Sequence, residues 1–376
     1  MSAASFQLAP MGVVGAIPLV ITHYNASPTL IQTAFALPTL TAVPASIIIG
    51  MLAVKTRKKL PLQIGIFLML ISGLAIALFD LPLSGFIACM SIMGLGLGCL
   101  MTLCAGIIAD HYKGLEQGKI LAHMSAFGNI GGMLLASAGG FLIALGWQYT
   151  FWIFLYATLI LILTQVLLPQ ESTKINDAHN KKIKIKLNSH VFIMCGVVFF
   201  MGLGLGIRNA NVGLLVIEQG LGDPATANFA TTFWTASGIV VGIIYGIAAK
   251  LLKTVLLPFF LGLFAIGMIF IGNATALWMY YLGNILAGIG IGAAGPTIMS
   301  LAVQSVDKNS TTFVISIVIA TLNIATFAAP VIVNTIALII GNETAQVCFN
   351  IGAILLILLC VFSLFYLLKR EKVLTS

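Results

Sequence analysis

Apolar runs long enough to cross a bilayer recur along this chain almost without pause, and that recurrence restricts the fold more than any motif does. A hydrocarbon core about 30 Å thick calls for about twenty apolar residues in a helix that rises about 1.5 Å per residue. Twelve such runs are legible, at 4–24, 30–53, 60–79, 83–108, 120–144 and 148–168, then at 191–217, 226–249, 255–272, 277–303, 312–339 and 346–368. Only 7% of the 376 residues are charged and 60% are hydrophobic, where a soluble domain would carry roughly a quarter charged. In hydrocarbon every backbone N–H and C=O must be paired within its own segment, so runs of this kind are helices. The expected fold class is an all-α membrane protein with twelve transmembrane helices.

Charge gives an independent check on that count. With the N-terminus on the cytoplasmic side, all but one of the 18 Lys and Arg residues fall in cytoplasmic loops or the C-terminal tail, and none falls in an external loop. A single missed span would put several of them on the wrong face. The net charge of +8 is thus accounted for by topology, and nucleic acid is not an expected partner. The expected location is the plasma (inner) membrane, multi-pass, with both termini cytoplasmic. Residues 1–24 lack the basic leader of a signal peptide and run through Ala26-Ser27-Pro28 into the second span, so they read as the first helix. The six cysteines show no ligand spacing and read as small packing residues; no metal or cofactor is expected.

The polar stretch Gln170 to His190 divides six spans from six. The expected domains are an N-terminal six-helix bundle at 1–168, a cytoplasmic linker at 169–190 and a C-terminal six-helix bundle at 191–376. A repeat relates the halves. At an offset of 196, Pro28 falls on Pro224, Gly50 on Gly246 and Ala53 on Ala249. At 194, Gly94, Gly96 and Gly98 fall on Gly288, Gly290 and Gly292, and Asn129-Ile130 on Asn323-Ile324.

With these features the whole chain resembles the major facilitator superfamily. The resemblance implies two pseudo-symmetric six-helix bundles, substrate held between them at mid-membrane, and transport by alternating access. The stretch from Gly50 to Lys59 resembles the family's loop motif, with Val54 where the family places Asp and Arg57 where it places Gly. Asp110, in Ala109-Asp110-His111-Tyr112, stands at the family's acidic signature after the fourth span, which implies a gate or latch role. A carboxylate at a helix C-terminus is also disfavoured by the helix dipole and should seek a basic neighbour. Gly128-Asn129-Ile130-Gly131-Gly132, followed by Gly139-Gly140, is similar to the glycine-rich antiporter motif of the family's drug exporters, although Ala136 replaces its Pro. Small residues also serve plain helix packing.

Arg208 is the one basic residue inside a span. It lies roughly 25 Å from the cytoplasmic end of the seventh helix, too deep for its side chain to reach that surface. A charge at such a depth costs at least about 2.5–3.5 kcal/mol, so the guanidinium must face a cavity or polar partners. Every Asp and Glu falls at a span end or in a loop. Glu218 is about 15 Å further along the same helix and off its face. Gly202, Gly204 and Gly206 precede Arg208, in positions to loosen the helix or admit a neighbour; Asn209 adjoins it and Asn211 follows by three. The group suits an oxyanion, gripped by the guanidinium fork and completed by amides. The other reading of the same residues is an arginine tied to amides and carbonyls of neighbouring helices.

Asn129 and Asn323, at equivalent depths in the repeat, join the candidate substrate-binding set with Trp234 and Thr235 of the eighth span, although a helix-internal Thr also bonds back to its own carbonyls. Asp110, Glu218 and His23 form the candidate gating or proton-linked set. No catalytic constellation or ATP-binding motif is present, so an enzyme is not expected. The expected function is secondary active transport of a small organic anion by alternating access, coupled to a proton or counter-anion, by a monomer in the lipid bilayer. The alternative is a multidrug or metabolite exporter, a proton antiporter with a largely apolar pocket.

Overall fold

The computed structural model describes residues 2–52, 58–112, 114–168, 188–304 and 311–375, and among them the regular structure is entirely helical. The first span begins as 3-10 turns at Ala4–Phe6 and Ala9–Ala16 and continues as α1 (Ile17–Tyr24). There follow α2 (Pro28–Leu52), α3 (Lys59–Leu78), α4 (Leu83–His111), α5 (Gly114–Leu142) and, after a 3-10 segment at Trp147–Leu155, α6 (Tyr156–Leu167). The remaining helices are α7 (Ser189–Glu218), α8 (Pro224–Leu252), α9 (Leu256–Gly272), α10 (Leu277–Val303), α11 (Thr311–Ile340) and α12 (Ala345–Thr375).

Each expected span is helical. Two helices outrun their apolar stretches: α5 starts at Gly114 and not near residue 120, and α12 continues to Thr375 and not to 368. Hydropathy reports the part suited to lipid, whereas Glu, Lys and Arg extend a helix readily once it has left the hydrocarbon. Among the described residues, eleven helical stretches are long and apolar enough to span a bilayer; α8 enters that count through its second half, joined to α9 as Ile244–Gly272. Its first half is more polar, with Asn228 and four Thr. Many of the largest apolar side chains point outward, Ile339 being 80% exposed, Leu251 77% and Val166 75%. That surface is what a protein solvated by lipid presents.

The chain forms two compact units, one made of Met1–Asn180 with Gly222–Thr235, the other of Lys181–Leu221 with Ala236–Ser376. In the first, α4 packs on α2 and α3, α6 on α3, and α5 on the 3-10 turns of the first span. In the second, α10 packs on α9, α12 on α9, and α7 on α11 and α12. The pairs α3–α4 and α9–α10, α3–α6 and α9–α12 correspond under the repeat. So do individual glycines. A Cβ on Gly96 would strike Gly65 and Met69 of α3, and one on Gly290 would strike Phe260 and Phe264 of α9. Since lipid tails are as apolar as the helices, close backbone approach and the dispersion it brings are what hold such pairs together.

The alternating glycines of α7 follow the same logic. Gly202 and Gly206 face Ala325, Thr326 and Ala329 of α11, while Gly204 faces Leu356 of α12 and Phe264 of α9. They admit neighbours on two sides, and α7 remains an unbroken helix from Ser189 to Glu218.

Candidate functional site

Arg208 lies in the second unit with no exposed surface. Its Nε donates to Asn284 Oδ1 at 3.2 Å and its Nη2 to the same oxygen at 2.7 Å, while Nη1 donates to Asn209 Oδ1 at 3.2 Å. Asn284 belongs to α10. Its Nδ2 donates to the Tyr280 carbonyl at 2.9 Å, which fixes the amide with its oxygen toward the guanidinium. One turn away the Tyr280 hydroxyl donates to the Val212 carbonyl at 2.8 Å. Antiparallel α7 and α10 are thus tied at two levels, Arg208 to Asn284 and Val212 to Tyr280. An amide oxygen satisfies a buried donor without carrying formal charge, so these bonds hold the guanidinium in place and leave its positive charge in the middle of a helix. Among the described residues Asp80, Glu218, Asp223 and Glu343 all lie at helix ends or in turns.

The other anticipated residues divide between the units. Asn211 turns its Nδ2 back to the Ile207 carbonyl at 3.0 Å, within α7. Asn323 is half-buried on α11. Glu218, the last residue of α7, accepts a hydrogen bond from the Ala345 amide at 2.8 Å and so caps the first turn of α12. In the first unit Asn129 and Trp234 are half-buried, and Thr235 is buried with its hydroxyl donated to the Thr231 and Thr232 carbonyls, the back-bonding typical of a helix-internal Thr. His23 Nε2 meets Asp80 Oδ1 at 3.1 Å at the end of α1, with its ring against Trp147. Asp110 is in the last turn of α4, its side chain outside the described residues, as are Val54 and Arg57 of the loop motif. The structure therefore brings Arg208 together with Asn209, and adds Asn284.

Asn284 was absent from the anticipated set, and so was Asn228 of α8, whose Oδ1 accepts from the Gly15 amide at 2.9 Å inside the first unit. Both are fully buried. Both are amides within apolar spans, as Asn129 and Asn323 are, but neither stands at a position matched by the repeat, the signal that singled out those two. The glycine-rich stretch of α5 is a packing seam: Gly131 faces Ser5, Gly132 faces Leu8 and Gly139 faces Gly12, all on the first span.

The family model described as Major Facilitator Superfamily matches residues 1–204 and 194–375. Among solved structures, the nucleoside transporter NupG superposes with a TM-score of 0.76 at 13% identity over 97% of each chain. An auto-inhibited peptide transporter of the POT family gives 0.76 at 11%, over 98% of this chain and 96% of that one. The inward-open xylose transporter XylE from E. coli gives 0.74 at 15%, over 96% and 93%. No curated protein matches the chain. At these identities the structural likeness carries the fold alone, whereas the family matches between them take in nearly every residue. The chain is a multi-pass membrane transporter, not an enzyme, and belongs to the Major Facilitator Superfamily.

Proposed function

We propose that this transporter moves a small organic anion by alternating access, with Arg208 as the anion's anchor. The observation that carries the reading is a fully buried guanidinium at mid-helix, held by the amide oxygens of Asn284 and Asn209. A guanidinium stays protonated at any physiological pH, and a charge in low-dielectric surroundings draws an ion of opposite sign from the aqueous path far more strongly than in water. A carboxylate takes over the place that the Asn284 oxygen holds in this structure, presenting two oxygens to the fork where the amide presents one. Asn209, Asn211 and Asn323 in the second unit, and Asn129, Trp234 and Thr235 in the first, are the further candidate substrate-binding groups. A proton or counter-anion provides the drive, with His23, Glu218 and Asp110 as the groups that gate or carry it. The organisation is an N-terminal half at 1–168, a linker at 169–190 and a C-terminal half at 191–376, in the plasma membrane with both termini cytoplasmic, as a monomer. The similar structures carry a nucleoside, a peptide or xylose, so the substrate class is read from this chain's own arginine.

The test is uptake of radiolabelled carboxylates by proteoliposomes. Arg208→Ala abolishes it, and Arg208→Lys retains a fraction because the charge stays while the fork is lost. Asn284→Asp supplies a resident carboxylate, which keeps the fold and blocks the anion. Undiminished uptake by a folded Arg208→Ala protein would falsify the reading.

A further inference from the structure

On the surface of the first unit, α3 and α6 part to leave a groove of about 510 Å³. Its polar residues gather toward the start of α3, where Ile64 and Val166 also line it. At the start of α3 the Lys59 ammonium donates to the Gln165 and Leu168 carbonyls at 2.8 and 2.7 Å, against the negative end of α6, which leaves its third N–H to another acceptor. One turn deeper, Gln63 Nε2 donates to Gln165 Oε1 at 2.7 Å. That bond uses one donor and one acceptor of the pair and leaves the Gln165 amide nitrogen and the Gln63 oxygen with capacity for further partners. Deeper still the walls are apolar, formed by Phe67, Leu161 and Ile162. Phe67 and Ile162 are 50% and 57% exposed, on a face that meets lipid.

Charge, then amide, then hydrocarbon, over about 12 Å of helix, is the order of phosphate, ester and acyl chain in a glycerophospholipid. We propose that this groove holds one anionic glycerophospholipid, its phosphate at Lys59, its esters at the Gln63–Gln165 pair and an acyl chain across Phe67 and Ile162. Charge favours an anionic headgroup: the Lys59 ammonium stands at the start of α3 beside the groove, while Lys58 donates to the Gly106 carbonyl of α4. A basic residue near the membrane surface attracts such lipids. The amide N–H groups that the Gln63–Gln165 bond leaves over can donate to an acceptor, and at this depth the bilayer offers the ester carbonyls.

Native mass spectrometry of the full chain in detergent, with phosphatidylglycerol or phosphatidylcholine added, tests the site. The wild type should retain one phosphatidylglycerol with occupancy several-fold above that of phosphatidylcholine. Lys59→Gln should remove the preference, whereas Gln63→Leu combined with Gln165→Leu should cut retention of both lipids. Ile162→Trp fills the apolar half from an exposed position that folding does not depend on, and should cut occupancy several-fold. Equal retention of the two lipids by the wild type, unchanged retention in Ile162→Trp, an unchanged preference in Lys59→Gln, or unchanged retention in a folded glutamine variant each overturns the proposal.

Discussion

Arg208 of α7 and Asn284 of α10 share one oxygen, the Asn284 Oδ1, which accepts from two guanidinium nitrogens at 3.2 and 2.7 Å. A hydrogen bond to a charged group contributes about 1.5–3 kcal/mol, and a buried charged donor that loses its acceptor costs more than the bond was worth. Asn284→Leu should therefore lower the unfolding free energy by about 1.5–3 kcal/mol or more in detergent denaturation. Replacing both residues, Arg208→Met with Asn284→Leu, should recover much of that loss, since the charge leaves with its acceptor. A single variant as stable as the wild type would show that the pair carries no weight in the fold.

Two glycine substitutions should move stability in opposite directions. A Cβ at Gly131 would run into the Ser5 carbonyl, backbone that has no room to yield, whereas one at Gly246 meets nothing within 4 Å. Gly131→Ala should destabilise the first unit by forcing α5 away from the first span. Gly246→Ala should stabilise α8 by about 0.5–1 kcal/mol, the usual gain for Ala over Gly inside a helix. Thermal unfolding of both variants reads the contrast.

Asn228 presents its oxygen to the Gly15 amide, while its Nδ2 has no partner among the described residues. Asn228→Ala thus removes one hydrogen bond and leaves the Gly15 N–H buried and unsatisfied. The expected cost is about 1–3 kcal/mol, visible as a lower midpoint in a denaturant titration.

At Glu218 the structural role and the proposed proton-linked role separate by readout. Loss of a side chain that caps a helix N-terminus costs about 0.5–2 kcal/mol, so Glu218→Ala should weaken α12 by that amount. Glu218→Gln keeps an acceptor for Ala345 and gives up only the favourable charge at the positive end of the helix, so its loss should be smaller. If Glu218 also carries a coupling proton, the Gln variant should fold yet fail to accumulate anion in response to an imposed pH gradient. Retained gradient-driven uptake would leave Glu218 as a cap alone.

The His23–Asp80 pair lies at the surface, its side chains 34% and 76% exposed. Water and salt screen such a pair, and the entropy of holding it offsets most of the attraction. Asp80→Asn should shift stability by less than about 1 kcal/mol in a thermal scan, and a larger fall would mean that the aromatic cluster around Trp147 depends on that ion pair.

The helix count and the repeat were legible because each is written in short-range properties. A span announces itself by length and hydropathy, and Gly96 and Gly290 could be matched by offset before either was seen against α3 or α9. The role of α5's glycines was legible only as a pair of possibilities, because packing and antiport place the same small residues at the same spacing. Asn284 and Asn228 carried the signal of an amide inside an apolar span and were passed over because neither belongs to a pair matched by the repeat.

Hydropathy and basic residues by themselves determined that this is an all-helical membrane protein with an arginine stranded at depth, because bilayer thickness turns composition into a one-dimensional test. Tertiary structure decided what that arginine touches. Its acceptor stands 76 residues away on another helix, and which face of α10 turns toward α7 depends on glycines, ridges and rotations that no window along the chain contains. Burial in lipid requires that a partner exist, and packing chooses which one.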